Sequence, residues 1–283
     1  MRILDEVTDL EIGIRVVVSR RADLVQEQTR RLSRLRDLLV SIHPALERVL
    51  DPTNKASLWL LTRYVTPAEI RSAGPTNLRK HLGRAKSVRT RDIERLTTAS
   101  LASARAQTVA VPGEIIIADL IRELAAEALT TRTRLVQLDR ELKLLLSRHP
   151  DAALINTLPG MGATLTAEFV AEAGDLKRFA SADALAAAAG LAPVLRQSGK
   201  VRFQRRPTGG NRALKRVFYQ AAFCSLQASD SHAFYQRKRQ EGKGHHQAVI
   251  ALARRRVDVL WAMLRGRRPY QPHFKTSPVD KSD

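Results

Sequence analysis

Apolar residues in the first part of the chain recur every three or four positions. Between residues 19 and 42, Leu24, Leu32, Leu35, Leu39 and Ile42 keep helical spacing, which predicts an amphipathic helix. Arg20, Arg21, Arg30, Arg31, Arg34 and Arg36 lie mostly off that stripe. They suit a solvated face or a nucleic-acid contact equally well. Pro44 limits this helix, and a shorter apolar run, Leu58 to Tyr64, follows. TPAEIRSAGPTNLRKHLG then predicts two short helices joined at Gly74-Pro75. Thr66 is placed as N-cap, Pro67 at the first helical position and Glu69 in the first turn. Residues 77 to 110 are basic, then rich in Ala, Ser and Thr, up to a break at Pro112-Gly113.

From Glu114 to Arg148 there is no proline or glycine. Ile121, Leu124, Ala128, Thr131, Leu135, Leu138, Leu142 and Leu145 step alternately by three and four, as in a heptad seam. One long helix is predicted. It either docks on its own domain or self-associates as a coiled coil; the second reading is favoured and makes a homo-oligomer through residues 114–148 the expected assembly. Pro150 ends the helix. Residues 151–270 then predict a compact, mostly helical domain, and the polar, Pro-containing tail 271–283 is expected to be disordered. The predicted fold class is mainly α, with a small β-hairpin in the C-terminal domain.

The net charge of +20 over 283 residues changes the picture. A fold does not need that excess, whereas a polyanionic partner does. Nucleic acid is the leading candidate, with a ribosomal or chromatin-like protein as the reading without chemistry. The single cysteine, Cys224, excludes an intrachain disulfide framework and a Cys-rich zinc site. It lies in an apolar helical run, where a buried structural thiol is expected. No apolar run reaches the ~18 residues of a membrane span. The N-terminus, MRILDEVTDLEIG, carries acids where a signal peptide carries basic residues, so a cytoplasmic location is expected.

Candidate chemistry concentrates between Leu158 and Arg216. Leu158-Pro159-Gly160-Met161-Gly162 before an apolar helix resembles a helix-hairpin-helix DNA-binding turn. Gly160 and Gly162 have no Cβ to keep a phosphate away, and the N–H groups of the helix start can bind an anion. A tight interhelical turn without ligand is the alternative. Gly174 is placed as the cap of that helix, Ser181 or Asp183 as the start of the next, and Phe179 and Leu185 as core. Residues 194 to 206, VLRQSGKVRFQRR, alternate enough to suggest a hairpin turning at Ser198-Gly199. Ser198 is flanked by Arg196, Lys200, Arg202, Arg205 and Arg206. Guanidiniums there would stabilise a serine alkoxide and hold a phosphate that gains charge in the transition state. On composition alone, Ser-Gly remains an ordinary turn pair. Gly209-Gly210 before Arg212 forms a second possible phosphate cradle, with Asn211 as a helix cap or a DNA contact.

Three further features carry candidate chemistry. His245-His246 suits solvent or phosphate better than metal, because adjacent helical residues diverge and no carboxylate stands at ligand spacing. Phe234 and Tyr235 with Arg237 to Arg239 combine stacking and phosphate contact, or pack in the core. Arg254, Arg255 and Arg256 interrupt the apolar run Val249 to Leu264 and are expected on its outer face.

The motifs LPGMG, AEAGDLKRFASADALAAAAGLAP, QSGK, GGNRALKR and FYQRKRQEGK, in that order, resemble the C-terminal half of the insertion-sequence 110 group of transposases, from about Leu154 to Tyr270. Upstream, VSRRADLVQEQTRRLSRLRDLL, PALERVLD and LLTRYVTPAEIRSAG resemble that family's middle region. The resemblance implies a DNA transposase with a nucleophilic serine, here Ser198 of the QSG motif, which makes a transient phosphoserine link to DNA. It further implies an N-terminal RuvC-like domain whose Asp-Glu-Asp-Asp set holds Mg²⁺, oligomers built on a long helix, and in some members a guide RNA. Residues 1–112 then stand for the helical remainder of the RuvC-like region, and 113–150 for the long helix. The chain departs from the pattern at its start. Asp5, Glu6, Asp9 and Glu11 lack the apolar strands and the Asp-x-x-Asp spacing, so no metal ligand is carried over, and an N-terminally truncated member whose catalytic apparatus is incomplete in this chain is expected. A non-enzymatic nucleic-acid-binding protein that joins intact members in mixed oligomers is the alternative. A structural RNA-binding protein is the third reading.

Overall fold

In the computed structural model, which describes residues 9–192, 194–198, 201–205 and 209–272, apolar periodicity has been converted almost entirely into helices. The order is α1 (Asp9–Ile42), α2 (Pro44–Glu47), α3 (Lys55–Leu61), α4 (Pro67–Gly83), α5 (Thr90–Ala106), α6 (Glu114–Ser147), α7 (Ala152–Thr157), α8 (Ala163–Ala173) and α9 (Ala182–Ala188). A two-stranded antiparallel ribbon follows, β1 (Val194–Ser198) with β2 (Val201–Arg205). Then come α10 (Arg212–Cys224), α11 (Ser229–Gln240) and α12 (His245–Gly266). No described helix is long and apolar enough to cross a membrane.

The chain divides into two units. One runs from Arg20 to Leu138; the other joins the residues up to Ser19 to those from Asp139 onward. Helices α1 and α6 therefore contribute to both. The first unit closes over Leu35, Leu39 and Ile42 of α1, Leu58, Leu60 and Leu61 of α3, Ile70, Leu78 and Leu82 of α4, and Leu96 of α5. Its local signals act as the sequence predicts. Thr66 and Glu69 form a capping box with Pro67 at the start of α4. Gly74 leaves helical geometry at φ 62°, so the kink falls at Gly74-Pro75. Proline cannot continue the hydrogen-bond ladder, and glycine tolerates the positive φ.

The second unit closes over Ile155 of α7, Phe169 of α8, Leu185 of α9, Phe218 of α10, and Leu252 and Leu260 of α12. Phe169 and Phe218 meet edge to face at 5.7 Å. Each such ring, removed from water, contributes about 1.5–3 kcal/mol. Phe179 and Leu185 belong to this core.

One expectation is corrected, and the long helix is placed. The first helix begins at Asp9 rather than near residue 19, because Leu10, Ile14, Val17 and Val18 extend the apolar stripe into the second unit's core. Arg15 Nε also donates to the carbonyl of Ala171 at 3.3 Å. The long-helix seam is covered within the chain: Ile121 and Ala128 are buried in the first unit, Leu138 is buried, and Leu142 is buried in the second unit. Ile115, Ile116, Leu120, Val136 and Leu144 of the same helix are exposed.

Candidate nucleic-acid interface

Helices α7 and α8 are joined by the turn Leu158–Gly162. Met161 N donates to the carbonyl of Leu158 at 2.9 Å, and Gly162 is the N-cap of α8. The two glycines of this turn do different work. Gly160 has φ 85°, and a Cβ there would overlap the carbonyl oxygen of Ala221 and approach Ser225 N within 3.1 Å. The requirement for glycine at 160 is therefore set by α10, not by a phosphate. Gly162 is exposed, with open space where a Cβ would sit. The amide end of α8 is thus accessible on the Gly162 side, in keeping with anion binding at a helix start. A groove of about 460 Å³ opens there, lined by Asp139, Lys143, Gly162, Thr164 and Cys224 among others. Cys224 is exposed, which corrects its expected burial. The buried stripe of α10 is Leu214, Val217, Phe218, Ala221 and Ala222, and Cys224 falls outside it.

The second glycine pair is a clamp within the protein. Gly190, at φ 63°, follows α9, and Gly210, at φ 104°, precedes α10. A Cβ on Gly210 would come within 2.6 Å of Gly190 N, and one on Gly190 within 2.7 Å of Gly209 O. Asn211 N donates to the carbonyl of Ala188 at 2.6 Å. The segment carrying β1 and β2 thus leaves and re-enters the helices at one closely packed point. Gly209 is exposed and unobstructed. Asn211 is a helix cap: its Oδ1 accepts from Ala213 N and Leu214 N, at 2.8 and 3.1 Å. Its Nδ2 donates to Glu172 Oε2 at 2.7 Å, tying α10 to α8.

Across the ribbon, Ser198 pairs with Val201, Gln197 with Arg202, Arg196 with Phe203, and Val194 with Arg205. Here the structure describes backbone. Gly199, Lys200 and Arg206 lie outside the described residues, as do Asp5, Glu6 and the tail from His273. Arg212, at the first turn of α10, is exposed. Arg216, one turn later, pairs with the buried Glu168 of α8 at 3.0 Å. This basic helix therefore has one arginine held by the protein and one offered to solvent.

Helix α12 corrects another expectation. Arg254 pairs with Asp183 and Asp258, and Arg255 lies over the ring of Phe234 at 5.0 Å, but Arg256 is only 4% exposed. Consecutive helical residues point about 100° apart, so three in a row cannot share one outer face. Arg256 Nη1 reaches Ser231 Oγ at 3.4 Å, while its Nε and Nη2 have no hydrogen-bond partner. Burial pushes its guanidinium down to about 10, so it stays charged near neutrality. Phe234 is half-buried and has Arg237 and Lys238 over its ring as well, at 5.1 and 5.5 Å. Phe234 and Tyr235 both pack against the C-terminal core, in line with the packing reading of that segment.

His245 and His246, at the first turn of α12, are held by tyrosines. Tyr235 Oη lies 2.9 Å from His245 Nδ1, and Tyr219 Oη lies 2.8 Å from His246 Nδ1. Phe223 meets His245 edge-on at 6.2 Å. Tyr219 and Phe223 carried no motif that sequence reasoning singled out. Their spacing of four, with Phe223 off the buried stripe of α10, is the signal that marks them.

Comparison with known proteins bears on this arrangement. The model of the transposase IS116/IS110/IS902 family matches residues 152–236, which run from α7 into α11. The 44.8 kDa protein of insertion element IS116 from Streptomyces clavuligerus is 42% identical over 95% of this chain and 67% of its own length. The 42 kDa protein of IS900 from Mycobacterium paratuberculosis is 40% identical over 95% of this chain and 68% of its own. The 43.6 kDa protein of IS110 from Streptomyces coelicolor is 37% identical over 94% and 66%. The chain thus spans about two thirds of the length of these relatives, with identity running through both units, and it belongs to the IS116/IS110/IS902 transposase family.

Proposed function

We propose that this chain acts in DNA strand transfer for an insertion sequence, with Ser198 as the nucleophile. The observation that carries the reading is the clamp at Gly190 and Gly210. It fixes both ends of the segment bearing Ser198 between the end of α9 and the basic start of α10. In the proposed step, a bond forms between Ser198 Oγ and a DNA phosphorus while a phosphorus–oxygen bond to a sugar breaks. The serine proton is lost, and the departing sugar oxygen gains one. A hydroxyl of a second strand then displaces the serine. Arg196, Lys200, Arg202, Arg205 and Arg206 would hold the phosphate. Arg212 and the open amide end of α8 at Gly162 would contact neighbouring backbone, positioning without reading sequence.

Mg²⁺ belongs to the proposal through family resemblance alone. Among the described residues, no group of three or more His, Cys, Asp and Glu side chains could hold a metal ion. These residues do not fit the ion, so no step here is routed through it. Self-association through residues 114–148 would use the exposed Ile116, Leu120 and Leu144, since the seam is already covered. A guide RNA enters the proposal as a further partner by the same resemblance.

The test is formation of a covalent protein–DNA adduct that survives denaturation. This sequence, placed in frame within an intact family member, is incubated with DNA carrying the element's ends, with Mg²⁺ and the element's transcript. The expected result is an adduct in the wild type and none in Ser198→Ala. Equal yields would remove Ser198 from the role. No adduct in the wild type would overturn the catalytic reading and leave a nucleic-acid-binding protein.

A further inference from the structure

The first turn of α12 meets α10 and α11 in a cluster of five rings, of which Tyr219 and Tyr235 pack against the C-terminal core while Phe223, His245 and His246 do not belong to it. Tyr219 and Phe223 stand one turn apart on α10, Tyr235 comes from α11, and His245 and His246 open α12. The two imidazoles are 5.3 Å apart, and Tyr219 stacks on His246 at 6.3 Å. Both histidines are exposed, and Phe223 is 52% exposed.

The hydrogen bonds decide what the cluster can do. Each tyrosine hydroxyl engages the Nδ1 atom of one histidine. Where the hydroxyl donates, the ring proton sits on Nε2. Each ring then offers an N–H donor on the side away from its tyrosine. Two such donors on adjacent residues suit the oxygens of a phosphate. A metal is disfavoured, because both Nδ1 atoms are engaged and, among the described residues, no carboxylate completes the set. The surroundings fit an anion: between Arg212 and His246 there are seven lysines and arginines and two acids.

We propose that this cluster binds unpaired nucleic acid, with Phe223 stacking on a base and the Nε2–H groups of His245 and His246 donating to an adjoining phosphate. A duplex hides the faces of its bases, so an exposed ring can stack only on a base outside the helix. The proposal rests on the strand-transfer reading only for its choice of nucleic acid as partner. It does not require Ser198 to react.

The test is fluorescence anisotropy with the full chain at fixed salt. The probes are an oligothymidine and an oligouridine of about twenty nucleotides and a duplex of the same length. Phe223→Ala is expected to weaken binding to the single strands by roughly tenfold, in line with loss of one stacked base. Duplex binding should change by less than about twofold, because phosphate contacts elsewhere carry it. Phe223→Leu keeps apolar bulk without a π face and should lose as much; Phe223→Tyr should retain affinity. A His245→Gln/His246→Ala double variant should also weaken single-strand binding selectively. DNA or RNA preference in the two single-strand arms identifies the source of the strand. Wild-type affinity in Phe223→Leu, equal losses on single strand and duplex, or no single-strand binding by the wild type would each overturn the proposal. Adduct formation measured on the same variants reports on Ser198 separately.

Discussion

The two units solve packing differently. In the unit from Arg20 to Leu138, branched apolar side chains fill the space between helices, and the buried polar groups are neutral; the hydroxyls of Ser57, Thr97 and Ser100 have no hydrogen-bond partner, whereas both buried histidines are held. His43 places Nδ1 2.9 Å from the carbonyl of Val65, and His81 places Nε2 2.7 Å from that of Trp59. In the other unit, backbone meets backbone at Gly160 and at Gly190 with Gly210, and charged groups, Glu168 and Arg256, are buried. Side-chain packing adjusts to substitution by repacking. Backbone contact cannot. The less forgiving construction surrounds the segment that carries Ser198, and would supply the rigid frame that the proposed nucleophile needs.

The largest expected effect is at Gly160. An alanine there would hold a positive φ and collide with the carbonyl of Ala221, a backbone atom that cannot move away cheaply. Strain and overpacking each cost about 1–3 kcal/mol, so Gly160→Ala should destabilise the C-terminal unit by about 3 kcal/mol or more. Gly162→Ala, with open space at its Cβ, should cost under about 1 kcal/mol. The two tryptophans separate the units: Trp59 lies in the first and Trp261 in the second. Urea unfolding of single-tryptophan variants therefore measures each in turn. Gly160→Ala should lower the Trp261 midpoint and leave that of Trp59 in place. If both midpoints fell together, the units would unfold as one, and the contrast between them would have no thermodynamic meaning.

What the sequence made legible follows the same division. Helical stripes, the Thr66 capping box, the Gly74-Pro75 kink and the caps at Gly174, Ser181 and Asn211 are local, and each could be read from neighbouring residues. The partner of Gly160 is Ala221, far along the chain, and no local pattern reveals it. The same holds for Gly210 against Gly190, which reads equally well as a phosphate cradle until the facing backbone is known. Arg256 and Cys224 were legible in principle. Three consecutive arginines on a helix cannot share a face, and the stripe Leu214, Val217, Phe218, Ala221 and Ala222 leaves Cys224 outside. A helix starting at Asp9 was obscured because Ile14 belongs to a core built from residues much later in the chain.

Mild acid gives a smaller, distinguishing effect. Burial, the largest cause, pushes the imidazoles of His43 and His81 below their usual range. Their carbonyl contacts oppose it, while Arg71 beside His43, and Arg63 and Arg84 beside His81, depress them further. Unfolded, both titrate near about 6.5. Below that pH the unfolded chain binds more protons than the folded one, so stability present above it is lost as pH falls. Glu114 acts with the opposite sign, since burial and then Glu69 raise its carboxyl, but it is much less buried than the histidines. In the C-terminal unit, burial likewise lowers His149, against the pull of Asp151 and Glu11. Two histidines against one predict that the Trp59 midpoint falls further than the Trp261 midpoint between pH 7 and pH 5. A larger fall at Trp261 would show that His149 alone outweighs the two depressed histidines of the first unit, and would overturn the prediction.

The smallest effect tests whether the first unit is as forgiving as its construction implies. Thr66 Oγ1 accepts from Glu69 N at 3.2 Å, while Glu69 Oε2 accepts from Val65 N and Thr66 N at 3.0 and 3.2 Å. Glu69 also pairs with Arg122 of α6. Removing the threonine oxygen breaks one bond of this set and leaves the carboxylate held from two sides. Thr66→Ala should therefore cost only about 1 kcal/mol, the usual worth of an N-cap, and Thr66→Ser should recover most of it. The loss should appear at Trp59 alone. A cost of about 3 kcal/mol, matching Gly160→Ala, would mean that the cap holds α4 against α6 cooperatively. Tolerance would then be a property of individual contacts in either unit, not of side-chain packing as against backbone packing.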